Sequence, residues 1–274
     1  MSRPPTFDVT NDVTYDAVVC GLGINGAAAL YYLSQKPGLK ILAIEAKDLG
    51  HEGGGSYGES RLLRRSYFDA PEYIPLITHS IEHWQRLEAT PPVVQKTGMV
   101  FLGPEGEAVF AKLQDCATQY GLDIVELSQA RAKSQFPFLN IPENFRIFLE
   151  RDASVLFPER LIQYFVEKAL TRKNVELSTQ TRALRIFSEC ANDNSGENEQ
   201  KISIVTTRGP ISTKQLILST GGWTQQLLPD VPLTIELRES PQYWFEENPR
   251  GPRAFLPFAI VNEKDLIYGF PDFG

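Results

Sequence analysis

The sequence predicts an α/β fold built around a parallel, Rossmann-like nucleotide-binding sheet, and three observations carry that expectation. The apolar run at 16–20 (DAVVC) leads directly into Gly21, Gly23 and Gly26, a GxGxxG pattern that opens a helix-forming stretch. A second apolar run at 39–46 (LKILAIEA) follows and carries Glu45 near its end. A later run at 216–223 (LILSTGGW) ends in another glycine turn, with Thr220 and Gly221 at its tip.

Taken in order, 16–20 reads as a buried parallel strand, 21–26 as a tight turn, and 27–34 as a helix of good helix formers broken by Pro37 and Gly38. With the strand at 39–46 this makes a strand–turn–helix–strand unit of about 30 residues, enough for a right-handed crossover. Residues 47–60 form a glycine-rich loop, and 72–87 a helix with Ile74, Ile77, Ile81 and Trp84 along one stripe. Pro91 and Pro92 mark a crossing into a second region. There 99–102 reads as a strand, 107–120 as a helix stopped by Gly121, and Ser128 as the N-cap of a further helix. A helix is expected at 159–170, and strands at 175–177, 182–187, 202–206, 215–219, 243–245 and 266–269, with a polar hairpin tip at 189–200.

The chemistry of the glycine turn follows from its place between strand and helix. Gly21 permits the turn, Gly23 lets a phosphate approach, and Gly26 lets helix and strand pack closely, while amides at the helix N-terminus hold a diphosphate. Glu45 stands where a carboxylate accepts ribose hydroxyls, and its charge disfavours a 2′-phosphate. A plain strand–helix unit with a solvated Glu45 is the bland alternative, and an NAD-linked dehydrogenase the weaker functional one. Many FAD enzymes place a second glycine turn, like that at Thr220 and Gly221, where a later strand approaches the nucleotide.

Composition narrows the function classes. A net charge of -7 and a pI near 5.2 argue against nucleic acid and against a polybasic membrane surface. No apolar run approaches the roughly 20 residues that span a bilayer, and the polar, proline-containing segment 1–14 has no signal-peptide core. Cys20, Cys116 and Cys190 lie far apart without a CxxC pair, so neither a disulfide framework nor a zinc site is expected. An intracellular, cytoplasmic location follows, with peroxisomal import left open.

Read together, CGLGINGAAALYYLSQ, LAIEA, GGSYGESRLLRRSYFDAPEYIPL, KTGMVFLGPEGEAVF, LILSTGGW and IYGFPDFG resemble the monomeric sarcosine oxidase and N-methyl-tryptophan oxidase family. The segments are collinear across essentially the whole chain, and 56–64 is the most specific. The resemblance implies an FAD domain (14–90 and 151–235) interleaved with an α+β substrate domain on an antiparallel sheet (91–150 and 236–274). It implies oxidation of a small-molecule secondary or N-methyl amine at a C–N bond, with O2 as acceptor and H2O2 as product.

Residue by residue, the resemblance places Gly21, Gly23, Gly26 and Glu45 at the ADP-binding positions, and Ser60 with Arg61 at the flavin. Arg64 takes the position that binds the substrate carboxylate, Ala183 one whose backbone meets adenine, and Tyr268 one that lines the substrate pocket. Arg61, Arg64 and Tyr268 are thus the candidate catalytic residues. Without the resemblance, Arg61, Arg64 and Arg65 read as a solvated basic patch, although Leu62 and Leu63 suggest burial, and a buried arginine needs an anionic partner.

This chain departs from the family by carrying Ser56 and Tyr57 where members have two histidines. The family also continues beyond it, with an oxygen-activating lysine, a flavin-linking cysteine, a glycine-rich flavin loop and a lysine partner for Arg64. None of these has a counterpart here, so the chain is expected to be C-terminally truncated, with a complementing chain as one remedy. Cys20 reads as a small buried strand residue.

The remaining signals are bland. His79 and His83 are spaced for chelation but lie opposite the apolar stripe, so no metal is expected. His51 sits in the glycine loop, where a place near the nucleotide is one reading and a loop-surface histidine the preferred one. Residues 219–221 lack the GxSxG of a nucleophile elbow. Tyr243, Trp244, Phe245, Phe255, Phe258, Phe270 and Phe273 read chiefly as core and sheet packing.

Overall fold

The computed structural model describes residues 13–192, 198–246, 256–261 and 266–273. Residues 1–12 of the polar N-terminal segment, 193–197 of the hairpin tip, Phe255 and Gly274 lie outside the described residues.

The chain runs β1 (Thr14–Cys20), α1 (Ile24–Ser34), β2 (Ile41–Ile44), β3 (Arg61–Leu63), α2 (Ile74–Gln85), β4 (Val94–Lys96), β5 (Met99–Pro104), α3 (Ala108–Tyr120), β6 (Ile124–Glu126) and α4 (Gln129–Gln135). It continues with β7 (Phe145–Glu150), β8 (Ser154–Leu156), α5 (Pro158–Leu170), β9 (Val175–Ser178), β10 (Ala183–Asn192), β11 (Asn198–Thr206), β12 (Gly209–Leu218), α6 (Thr224–Leu227), β13 (Phe258–Val261) and β14 (Leu266–Gly269).

Two compact units result, Met1–Glu59 with Pro158–Ser240, and Ser60–Phe157 with Pro241–Gly274. Both are discontinuous, but their limits differ from the expected segments. Residues 60–90, expected with the nucleotide-binding part, group with the second unit. The reason is strand pairing: β3 and β4 flank β8 on either side, with Arg61 and Val94 both opposite Leu156. Residues 151–157 follow them through β8 itself.

The first unit holds a six-stranded sheet in the order β10-β11-β12-β1-β2-β9. β12, β1, β2 and β9 pair in parallel, and β10 and β11 extend the sheet as an antiparallel meander. A parallel strand covered on both faces must be apolar throughout, and Val18, Val19, Ile41, Ala43 and Ile44 are fully buried. One face carries Tyr15, Val18, Cys20, Leu42 and Ile44 against Ile204 and Ile211 of the meander. α1 meets α5 through Tyr31 and Phe165, whose rings lie 5.0 Å apart.

The second unit holds a five-stranded sheet, β14-β13-β5-β7-β6, and a three-stranded one, β3-β8-β4. Its larger sheet is antiparallel, as expected, except where β13 runs parallel to β5. β5 is buried on both faces, and its residues alternate between two cores. Met99 and Phe101 join Phe110, Leu113 and Phe148 on the α3 side. Val100 and Leu102 join Leu127, Ala132, Phe136 and Ile147 on the α4 side. α3 stops at Gly121 in the left-handed conformation, and the Ser128 hydroxyl accepts the Arg131 amide to cap α4.

Two expectations fail. No strand forms at 243–245, and Tyr243, Trp244 and Phe245 are exposed instead of packed, because that segment has no ladder partner among the described residues. The helix expected from 72 begins as a 3₁₀ turn at Pro71–Tyr73 and becomes α2 only at Ile74, whose next residue is Pro75. Among the described residues no helix is long and apolar enough to cross a membrane.

One buried acid organises the second unit. Glu150, at the end of β7, is almost wholly buried. Its Oε1 accepts the amides of Arg65 (2.5 Å) and Ser66 (3.4 Å), and its Oε2 accepts the Ser66 hydroxyl. Burial raises its carboxyl pKa, while the Ser66 and Arg65 hydrogen bonds and the Arg64 charge pull the other way with less effect. A raised folded-state pKa means that the folded protein holds this proton to higher pH than the unfolded chain does. The associated stability is complete below the unfolded carboxylate pKa and is lost as pH rises through the folded one.

Glu150→Ala, which strips three buried donors of their acceptor, is expected to cost about 3 kcal/mol in urea unfolding. Glu150→Gln should cost less and should lose the wild-type decline in midpoint from about pH 4 upward; parallel pH profiles for the two proteins would contradict this account. Burial, followed by the nearby Glu45 carboxylate, pushes the Cys20 thiol up to about 12, and burial also raises that of Cys116. A Cys190→Ser protein should therefore resist thiol reagents at about pH 8 until denatured.

Candidate functional site

In the first unit β1 ends at Cys20 and the chain turns at Gly21, whose φ of +90° strains any residue with a side chain. A Cβ there would also lie 2.7 Å from the Ser219 carbonyl oxygen and 3.2 Å from the Thr220 Cα. Gly23 is the extended N-cap of α1. Gly26 makes the tightest approach of all: a Cβ on it would fall 1.8 Å from the Gly21 carbonyl oxygen. Helix and turn therefore pack at backbone distance, which points the first turn of α1 at whatever lies beyond the strand end.

Glu45 follows β2 and is buried. Its Oε2 accepts the Leu22 amide at 2.7 Å, and its Oε1 accepts the Lys47 amide at 3.1 Å. Its backbone is held by Ser178 and Thr181, through Glu45 N to Ser178 O (3.0 Å) and Thr181 N to Glu45 O (2.8 Å). The carboxylate is thus fixed against the glycine turn and does not swing into solvent. His51, expected on the loop surface, places Nε2 3.5 Å from Glu45 Oε1, so it belongs to this cluster.

β12 runs beside β1 and delivers 219–221 to the same turn. Ser219, which sequence reading passed over, donates its hydroxyl to the Gly21 carbonyl at 2.8 Å and its amide to that of Cys20 at 2.9 Å. The Thr220 and Thr224 hydroxyls share a 3.0 Å hydrogen bond, and Gly221 takes a φ of +53°. Ala183 opens β10, just past the turn tied to Glu45, and is half-buried. Gly21, Gly23, Gly26, Glu45, Thr220 and Gly221 are therefore brought together.

In the second unit Ser60 precedes β3, Arg61 opens it and Arg64 follows it. Arg61 donates from Nη1 to the Ser60 carbonyl at 2.9 Å. The Arg64 side chain is only 13% exposed, which excludes the solvated-patch reading at that position. Its Nη2 meets Asp69 Oδ2 at 3.0 Å, the anionic partner that burial requires. Its guanidinium lies 4.3 Å from the Phe68 ring centre and 5.3 Å from that of Tyr67. Its Nη1 is buried without a hydrogen-bond partner among the described residues. Beside it lies a cavity of about 320 Å³ lined by Leu62, Leu63, Arg64, Tyr67, Tyr73 and Ile77.

Tyr268 stands on β14, half exposed, with its ring edge-on to Phe270, and is not among the residues lining that cavity. Among the described residues no group of His, Cys, Asp or Glu could hold a metal ion. Of the two histidines expected to face water, His79 is exposed and His83 is half-buried.

Comparison with known proteins gives a consistent result. The family model described as FAD dependent oxidoreductase matches residues 16–274. The chain is 30% identical over 268 residues to the monomeric sarcosine oxidase of Arthrobacter sp. (strain TE1826), covering 95% of this chain and 66% of that protein. It is 28% identical over 262 residues to the N-methyl-L-tryptophan oxidase of Yersinia pestis (strain Pestoides F), covering 94% and 67% respectively. The chain thus spans about two thirds of the length of these curated relatives. A solved variant of NikD, an amino acid oxidase of nikkomycin biosynthesis, shares the fold with a TM-score of 0.70 at 16% identity, over 94% of this chain and 66% of that one.

FAD is the cofactor of that family, and the first unit fits its adenosine diphosphate half. Side chains are excluded at Gly21 and Gly26, where backbone must approach, and a buried carboxylate faces the turn at the end of the second strand. A strand–glycine turn–helix with its acid in place, carried on a chain matched by the family model from residue 16 to 274, belongs to the FAD dependent oxidoreductase family.

Proposed function

We propose that this chain forms part of an FAD-dependent oxidase of secondary amines or N-methyl amino acids that uses O2 and releases H2O2. The observation that carries the reading is Arg64: a buried guanidinium with an unpartnered Nη1 beside a largely apolar cavity. Such a group suits the carboxylate of an amino acid whose remaining surface is apolar, since a planar, permanently charged fork binds a carboxylate through two hydrogen bonds. Tyr67 and Tyr73 line the same cavity, and aromatic rings there suit a cationic amine. Tyr268 is proposed as a pocket residue on the resemblance alone.

The chemistry that FAD supplies when bound is two-electron oxidation: the C–N carbon loses a hydride equivalent, the imine hydrolyses, and O2 takes up the electron pair with two protons. The proposed roles of the chain's own residues are electrostatic and positional. Gly21, Gly23, Gly26, Thr220 and Gly221 hold the diphosphate, Glu45 the ribose, and Ala183 the adenine. Ser60 and Arg61 stand at the flavin, where a fixed cation stabilises negative charge arising on reduction. Arg64 orients the substrate through its carboxylate. The resemblance puts an oxygen-activating lysine in the relatives' remaining length, so turnover is proposed for a polypeptide of that full extent.

A second reading, an FAD-binding subunit that works only with a further polypeptide, is favoured by the uncovered apolar surface of the second unit. Leu266, Ile267 and Tyr268 of the edge strand β14 are each half exposed or more, as are Tyr243, Trp244 and Phe245. The chain purified alone as a monomer with stoichiometric FAD would count against it.

In the full-extent enzyme, Arg64→Lys is expected to raise KM for N-methyl amino acids roughly 10-fold or more, with little change for amines lacking a carboxylate, as read by peroxide release. Failure of that enzyme to oxidise any N-methyl or cyclic amino acid would sink the substrate assignment. Glu45→Gln should weaken FAD binding about 10-fold in a flavin fluorescence titration.

A further inference from the structure

We propose a second ligand site in the second unit, built around Arg65 and suited to a zwitterionic amino acid with an apolar side chain. It occupies a cavity of about 460 Å³ that shares no lining residue with the one beside Arg64. Two segments divide their side chains between these cavities. After β3, Arg64 lines one and the next residue, Arg65, lines the other. On α2, Ile77 lines the Arg64 cavity, whereas Ile74, Thr78 and Glu82, spaced four residues apart on one helical face, line that of Arg65. A volume of this size is in the range of small-molecule sites.

The lining calls for both signs of charge. The Arg65 Nε is buried without a hydrogen-bond partner among the described residues, and a carboxylate is the group that satisfies a guanidinium so placed. The Arg65 backbone is already fixed, its amide donating to Glu150 Oε1 at 2.5 Å and its carbonyl accepting the Tyr67 amide at 2.8 Å. The side chain is therefore presented from a set point. Negative groups line the same cavity. α3 ends there at Tyr120 and Gly121, bringing the carbonyl pole of a thirteen-residue helix, which favours a cation. Asp152 and Glu82 line it too. Lys96 meets Asp152 at 2.5 Å, which leaves Glu82 to answer an ammonium. Ile74, Pro75 and Leu122 supply the apolar wall. An anion alone would face Glu82 with no cation of its own, and a cation alone would leave Arg65 unanswered; a molecule carrying both charges meets each.

The test is an NMR titration of the isotope-labelled chain with leucine, with isocaproate, which lacks the ammonium, and with isoamylamine, which lacks the carboxylate. Leucine should shift the amides of Thr78, Gly121 and Asp152 and bind about tenfold or more tighter than either of the other two. Arg65→Gln should weaken leucine about tenfold or more and leave isoamylamine unchanged. Glu82→Gln, at an exposed position, should abolish the preference for leucine over isocaproate. Arg64→Gln should leave the leucine shifts in place; their loss there would assign them to the proposed substrate cavity and overturn this site. Leucine that shifts no amide, or only those of Leu62, Leu63 and Ile77, also overturns it, whether or not the full-extent enzyme oxidises amines. Equal binding of leucine and isocaproate by the unsubstituted chain overturns the zwitterion assignment.

Discussion

The approach of Gly26 to the Gly21 carbonyl is the contact on which the first unit depends. With space for no side-chain atom between them, α1 begins directly above the end of β1, and its first amides face outward at one fixed point. Ser219 ties down the Gly21 carbonyl from the neighbouring strand, and the Leu22 amide is taken by Glu45. A buried carboxylate is tolerable only when its oxygens are hydrogen-bonded, and here the amides that satisfy it belong to the turn and to Lys47. The acid proposed to hold the ribose is thus also part of the scaffold that shapes the turn.

A parallel economy governs the second unit. Glu150 reaches across the sequence to the amides of Arg65 and Ser66 and fixes the chain just beyond β3. Arg64, one residue earlier, is thereby set among Phe68, Tyr67 and Phe101 with Asp69 as an ionic partner. A guanidinium in that setting has lost most of its water and regained only part of its hydrogen bonding. That imbalance favours an incoming carboxylate. Both units therefore use one buried acid to fix the backbone next to a positively polarised group: helix amides in one case, an arginine in the other.

Local patterns in the sequence were informative wherever structure is set by near neighbours. β1, α1 and β2 were legible because a buried strand, a glycine turn and a helix each leave a compositional trace within a few residues. The stop of α3 at Gly121 and the cap of α4 at Ser128 were legible for the same reason, since both are local backbone solutions. The three-residue strands β3, β4, β6 and β8 were not: a strand of that length has no periodicity to read, and its identity comes from its ladder partners.

The sequence by itself determined the nucleotide fold and most of the candidate cofactor residues, because Gly21, Gly23, Gly26 and Glu45 lie within one strand–helix–strand unit whose spacing is dictated by backbone geometry. It also pointed to Arg64, through resemblance and through its apolar neighbours. Only the tertiary structure decided which groups complete those sites. Ser219 meets Gly21 from 198 positions away, and Glu150 meets Arg65 from 85. It likewise decided that residues 60–90 belong with β8, and that Tyr243, Trp244 and Phe245 are exposed. The reason is the same throughout: a hydrogen bond or a burial between distant segments depends on where the intervening chain returns, and no window of sequence contains that information.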